Sequence, residues 1–289
     1  MTAEGAAFWV ATAGYALAAL VLAFGSFFNK PRLVDATFLV TIAAFAAHTV
    51  SIGVRWTAAG RLPYVHDYEN ILAGTWFIVA VYLALGIARK ELRVAGLLVL
   101  PCVLLSLGLA LGLDKSVGAV TPAYKSAWLA IHVLFAWAAY SAYTLCAALG
   151  AVELLKTRKR GVTPGSLLER TPVVATLQQL TFRAVAFGFF VNGVMIASGA
   201  IWAYDLWGSY WRWDPVETWS LLTWLAFGFY MHARLTLGWG GKRLAWLTVF
   251  ALFGVMMMFW GVQFAPSLFG TQYHLYKDVG TMIQQTRMR

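Results

Sequence analysis

The sequence predicts an all-α fold, a polytopic membrane helical bundle of about eight transmembrane helices, on three observations. Of its 289 residues 61% are hydrophobic and only 12% charged, with a mean hydropathy of +0.69, the balance of a membrane protein rather than a soluble domain. The apolar residues fall into runs near the ~20 residues that a spanning helix needs. The basic residues sit in short clusters between those runs, as membrane topology requires. That placement assigns the net charge of +10 to the bilayer, not to nucleic acid.

In chain order the runs are 6–28, 34–54, 70–88, 94–113, 126–153, 181–204, 216–237 and 243–262. Ahead of the first, MTAEGAAFWV lacks a basic leader segment, so this helix is read as retained. The odd connections are the more basic. They include Arg89, Lys90 and Arg93 in the third, and Lys156, Arg158, Lys159, Arg160, Arg170 and Arg183 in the fifth. The even connections hold Arg55 and Arg61, then Lys115 and Lys125, then Arg212 alone. The positive-inside rule places the odd connections in the cytoplasm and both termini outside. Residues 1–289 read as a single integral membrane domain. Cys102 and Cys146 are far apart within apolar runs and form no C-x-x-C, so neither thiol exchange nor covalent heme attachment to this chain is indicated.

The sixth connection is the most unusual stretch. Trp202 to Glu217 reads WAYDLWGSYWRWDPVE and holds Trp202, Trp207, Trp211 and Trp213 with Tyr204 and Tyr210. Such residues suit an interfacial aromatic belt; they equally suit a platform for a large planar ligand. Asp214-Pro215-Val216-Glu217 predicts a helix start, with Asp214 as N-cap, Pro215 in the first turn and Glu217 completing a capping box. The acids are thus read as structural, aiming the tryptophans. Arg212 can hold a ligand carboxylate or reach for lipid phosphate.

Ionisable groups within spans are costly, so each of the five histidines is a functional hypothesis. His132 lies roughly 10 Å below Lys125 at helical rise, just inside the outer end of the fifth run. His274 follows the eighth run. Both can reach the surface that carries the tryptophans. His232 lies roughly 24 Å below Pro215, near the cytoplasmic end. His48 is inside the second run and His66 in the loop before the third. A lone membrane histidine is commonly a hydrogen-bonded interior group. Two converging on an aromatic surface beside an arginine describe a heme site better, since imidazole is the usual ligand of heme iron.

At WGSYWRWDPVETW the sequence resembles the WWD family of heme-handling proteins of cytochrome c maturation, here over about residues 202–219. The continuation DPVETWSLLTWLAFGFYMHAR looks like the CcsA/ResC branch, the System II cytochrome c synthase subunit. The CcmC branch is similar at the tryptophans but typically departs after the aspartate; CcmF keeps the acidic continuation in a much longer chain. LQQLTFRAVAFGFFVNGVMIASGAIWA resembles the family's approach to WWD, SAWLAIHVLFAWAAY its outer-histidine helix and RLPYVHDYENI the start of its third helix. The similarity covers most of residues 45–278. The tail departs: the family often ends in a Leu-His pair after a glycine, and here Tyr273-His274 follows Gly270.

The resemblance implies heme b (iron protoporphyrin IX), with His132 and His274 as axial ligands at the outer face. His232 matches the family's membrane histidine, whose mate comes from a CcsB/ResB-type membrane subunit; His48 is the in-chain alternative. The implied ligand enters near His232 and docks flat on Trp207, Trp211 and Trp213, beside Trp202 and Asp214. Arg212, with Arg55 or Lys125, takes its propionates. The substrate protein is an apocytochrome c carrying CxxCH, and the membrane a bacterial plasma membrane, with a thylakoid as the second option. No residue is nominated as a general base. Two other readings stay open: a heme exporter or chaperone of the CcmC kind, and a b-type electron-transfer subunit.

Overall fold

The computed structural model describes residues 2–118, 120, 122–158, 166–257 and 259. Among these residues eight α-helices follow in order: α1 (Ala3–Phe27), α2 (Pro31–Ala59), α3 (Asp67–Ala88), α4 (Gly96–Ala110), α5 (Ala127–Lys156), α6 (Val174–Trp207), α7 (Pro215–Leu235) and α8 (Lys242–Met256). Short 3-10 turns at Lys90–Ala95 and Pro122–Lys125 lead into α4 and α5, and the described residues contain no strand. Each predicted run overlaps a helix, the eighth over its described part. With the turn before α4 counted in, the first six helices are long and apolar enough to cross a bilayer, and the chain is a multi-pass membrane protein. α7 and α8 are not among those six. The described part of α8 has 15 residues, about 22 Å at helical rise, and α7 carries Glu217, His232 and Arg234.

Local chemistry sets the boundaries. Thr2 Oγ1 accepts from Gly5 N at 3.2 Å to open α1, and Ser126 Oγ from Trp128 N at 3.2 Å to open α5. Pro31 and Pro215 sit in the first turns of α2 and α7, where a missing N–H costs nothing. α2 and α6 stop at Gly60 and Gly208, both left-handed, with φ of 63° and 71°.

Two large cores fill the bundle. α1 to α4 share one, around Tyr15, Leu72, Tyr82 and Leu100. α5 to α8 share the other, around Tyr143, Val185, Phe227 and Leu252. A smaller one of Leu92, Val94, Leu149, Val152 and Leu177 lies between the turn before α4, α5 and α6. α5 and α6 pack along most of their length, and close approach depends on small residues. A Cβ on Gly188 would lie 2.6 Å from the Tyr143 ring, the same ring that stacks on Phe227 at 3.7 Å and 3°.

Two sequence expectations shift here. Arg183, placed in the fifth connection, lies two turns inside α6, because α6 begins at Val174 and not near 181. Arg55, placed in the second connection, lies in the last turns of α2 and is 1% exposed. Its burial is tolerated because carboxylates and carbonyls surround it. Nε donates to Glu69 at 3.4 Å, Nη1 to Glu4 at 3.5 Å and Lys115 O at 2.7 Å, and Nη2 to Ser116 O at 3.1 Å.

Candidate functional site

The α2–α3, α4–α5 and α6–α7 connections meet at one end of the bundle. Arg55 ties the end of α2 to the carbonyls of Lys115 and Ser116. The Tyr124 ring lies 6.1 Å from that of Trp202. Burial, with the Asp67 charge nearby, holds the Tyr124 phenol above its ordinary range. The end of α6 that leads into the Trp-rich loop therefore sits against the fourth connection, which in turn lies near the start of α3.

The loop is built by two acids. Asp214 Oδ1 accepts from Glu217 N at 2.9 Å and caps α7, as its sequence position predicts. The second half of the predicted capping box is present as well, since the Glu217 carboxylate accepts from the backbone N–H groups of Asp214 and Trp213. Its Oε2 also accepts from Arg212 N at 2.7 Å, so the carboxylate reaches back past the cap and clamps the loop itself. Ser209 Oγ donates to Trp211 O at 3.0 Å. Between these ties Trp213 adopts φ +60°, a left-handed conformation that costs a residue with a Cβ roughly 1–2 kcal/mol. Its side chain is 69% exposed. A strained, exposed tryptophan contributes little to packing, and such outliers cluster at functional positions.

The tryptophans do not form one flat surface. The rings of Trp211 and Trp213 meet edge to face, 5.7 Å apart at 84°, so a planar ligand can stack on one of them while meeting the other edge-on. The guanidinium of Arg212 lies 5.4 Å from the Trp207 ring centre. Tyr204 and Tyr210 stack at 4.3 Å and 13°. Among the described residues Trp211 Nε1 is buried without a hydrogen-bond acceptor, an indole N–H that an acidic or carbonyl ligand atom would satisfy. Trp213→Gly tests the assignment of Trp213. Relief of the left-handed strain offsets the lost ring contacts, so the thermal midpoint stays within a few degrees of wild type. Binding of a planar ligand at this end weakens by up to about tenfold, the worth of one aromatic contact.

His132 stands next to this end on α5. Its Nδ1 lies 2.8 Å from the backbone oxygen of Met195 on α6. A carbonyl can only accept, so Nδ1 carries the proton and Nε2 presents a lone pair. That is the tautomer of a metal-ligating imidazole, with one nitrogen fixed by a carbonyl and the lone pair on the other. Gly199 makes room for the ring: a Cβ there would lie 2.6 Å from Nδ1. Trp207 is eight residues further along α6, about 12 Å at helical rise. The described residues hold no group of three His, Cys, Asp or Glu placed to bind a bare metal ion. A single oriented imidazole below an end that carries four tryptophans fits an iron already held by a macrocycle.

The remaining histidines separate by environment. His48 is an interior group with both nitrogens engaged, Nδ1 with Tyr15 Oη at 3.2 Å and Nε2 with Leu72 O at 3.1 Å; this corrects its reading as a mate for His232. His66 caps α3 and pairs through Nδ1 with Arg61 at 2.9 Å. His232 is exposed on the outside of α7. Arg55, committed as described, is not free for a propionate. His274 lies outside the described residues. Nothing in the sequence marked Gly199, the Met195 carbonyl or the Glu217 clamp, because each acts through a partner that is distant or backbone.

A family model described as Cytochrome C assembly protein matches residues 64–269. Among curated proteins, the cytochrome c biogenesis protein CcsA of Guillardia theta is 33% identical, over 78% of this chain and 81% of its own. That of Gloeobacter violaceus is 31% identical over 90% of each chain. A solved structure titled cytochrome c heme lyase CcmF superimposes with a TM-score of 0.72 at 15% identity. The match covers 92% of this chain and 48% of that one, and it shows a shared helical fold.

Proposed function

Since the chain belongs to the CcsA family of cytochrome c assembly proteins, we propose that it holds heme b at its Trp-rich end for thioether attachment to an apocytochrome c. One observation carries this reading: His132 on α5, its Nδ1 committed to the Met195 carbonyl of α6 and its Nε2 left with the lone pair, about 12 Å of helical rise below Trp207. His132 supplies one axial nitrogen and His274 is assigned the other. Trp213 or Trp211 contacts the porphyrin face, and Arg212 takes a propionate.

Heme is the cargo here, and it brings the iron and the two vinyl groups. This chain orients them and limits their freedom, which is where most of the rate advantage of such a site lies. The apocytochrome's CxxCH segment brings two thiols and a histidine. Each S–H adds across a vinyl C=C, sulfur to one carbon and hydrogen to the other, so no atom or electron is gained or lost. The incoming histidine replaces one of the chain's own imidazoles on release. The Trp-rich end faces outward, by the excess of basic residues in the odd connections.

His232, exposed on α7, faces a neighbour and not this chain's own core. It takes heme at the opposite end of the bundle, with its mate from a CcsB/ResB-type subunit in a bacterial plasma membrane. All eight helices cross the membrane in this reading.

The test is reconstitution of the chain with its partner subunit, reduced heme and a CxxCH apocytochrome. Wild type yields covalent heme, read by its pyridine hemochrome band. His232→Ala loses heme at its own end only, and His274→Ala loses it at the Trp-rich end. Heme binding with no thioether product would mark a delivery protein instead. Wild-type spectra and yields in both variants and in His132→Ala would overturn the ligand assignment.

A further inference from the structure

A second feature lies on the flank of the bundle, where α3 and α6 stand apart and α5 forms the floor between them. The gap is a groove of about 400 Å³, open to the side, with walls that include Phe77 and Val81 of α3 and Phe187 of α6, over Ala142 and Leu145 of α5. Its lining holds a single charged residue, Arg183. The Arg183 side chain is exposed.

The depth of Arg183 follows from helix arithmetic. From Arg183 to Trp202 is 19 residues of unbroken α6 without another charge, about 28 Å at helical rise. That matches the ~30 Å hydrocarbon thickness of a bilayer. With Trp202 at one interface, Arg183 stands at the headgroup level of the other. The register that sets His132 against Gly199 and Tyr143 against Gly188 puts Arg183 level with Ala148. Ala138, at the far end of the groove, is then about 15 Å higher, half the hydrocarbon thickness and so the depth of one leaflet.

We propose that this groove is a binding site for an anionic glycerophospholipid, with an acyl chain along α5 and the phosphate on the Arg183 guanidinium. Charge and shape select the occupant together. A guanidinium at headgroup level recognises phosphate through paired N–H donors, and an apolar trough one leaflet deep fits a chain. No histidine, cysteine, methionine or tyrosine lines it, so it offers a heme iron no ligand. The small side chains of Ala138, Ala142 and Ala184 leave the trough open.

The full chain is purified into nanodiscs of equal phosphatidylglycerol and phosphatidylcholine, and retained lipid is counted by native mass spectrometry. Wild type enriches phosphatidylglycerol about fivefold, the effect of one basic side chain at an anionic headgroup. Arg183→Gln removes the enrichment. Arg32→Gln, an exposed charge change on α2, leaves it intact. Val81→Trp, which fills the groove, lowers retention of both lipids. Equal enrichment in wild type and Arg183→Gln overturns the proposal. So does loss of hemin loading in Arg183→Gln and Val81→Trp with lipid retention unchanged, which would make the groove a heme route.

Discussion

His132→Ala, produced with the partner subunit, loses the heme absorbance of the Trp-rich end and lowers holocytochrome c yield at least tenfold. Disturbing the hydrogen bond behind a metal-bound histidine already costs 10- to 100-fold, and deleting the ligand should cost no less. The fold should survive. The lost ring leaves a small cavity between α5 and Gly199, next to the Met195 carbonyl that had accepted from Nδ1. That carbonyl still bonds to Ser198 Oγ at 3.1 Å, so it is not left without a donor. Free imidazole matches the cavity in size and in its N–H, and added imidazole should restore part of the absorbance. Gly199→Ala provides the complementary variant. It keeps the imidazole and pushes it off the Met195 carbonyl, at ~1–3 kcal/mol of overpacking, and imidazole should not rescue it. Wild-type spectra in both variants would remove His132 from the site.

How much of this could be read from the sequence depended on how local each signal was. The eight helices were legible because apolar runs of spanning length are a property of the chain alone, and Asp214 was legible as a cap because capping is decided within four residues. Arg183 was misplaced because a charge reads as a helix boundary in a hydropathy pattern, whereas an arginine near the headgroup level lets a helix continue well past it. Arg55 was read as a free cation because its partners at Glu4, Glu69, Lys115 and Ser116 lie up to 61 residues away. The tryptophans were expected to be coplanar, and no sequence rule sets ring orientation in a loop. The 84° between Trp211 and Trp213 comes from the positive φ of Trp213 and the Glu217 clamp.

Glu69→Ala should be the most destabilising single change at the Trp-rich end. The Glu69 carboxylate is fully buried. Oε2 accepts from Arg61 Nη1 at 2.8 Å and Val65 N at 3.1 Å; Oε1 accepts from Arg61 Nη2 at 3.1 Å and Arg55 Nε at 3.4 Å. Truncation leaves the 1%-exposed guanidinium of Arg55 facing a cavity, with Glu4 at 3.5 Å as its remaining carboxylate. Breaking a buried pair from one side costs about 3–5 kcal/mol, because an uncompensated charge stays behind. For a chain of this size that is roughly 10 °C in thermal midpoint, read by fluorescence in detergent. The damage should spread in a defined direction. Arg55 also holds the carbonyls of Lys115 and Ser116, so Glu69→Ala should free the backbone at the exposed Lys115 for cleavage by trypsin before global unfolding. The double variant Arg55→Met with Glu69→Leu removes both charges and fills the space, and buried pairs replaced in this way are often neutral. It should recover most of the midpoint, yet not the protection at Lys115, since methionine cannot donate to the two carbonyls. Full recovery of both would show that the fourth connection is held by packing alone; recovery of neither would show that the ion pair carries the stability of this end.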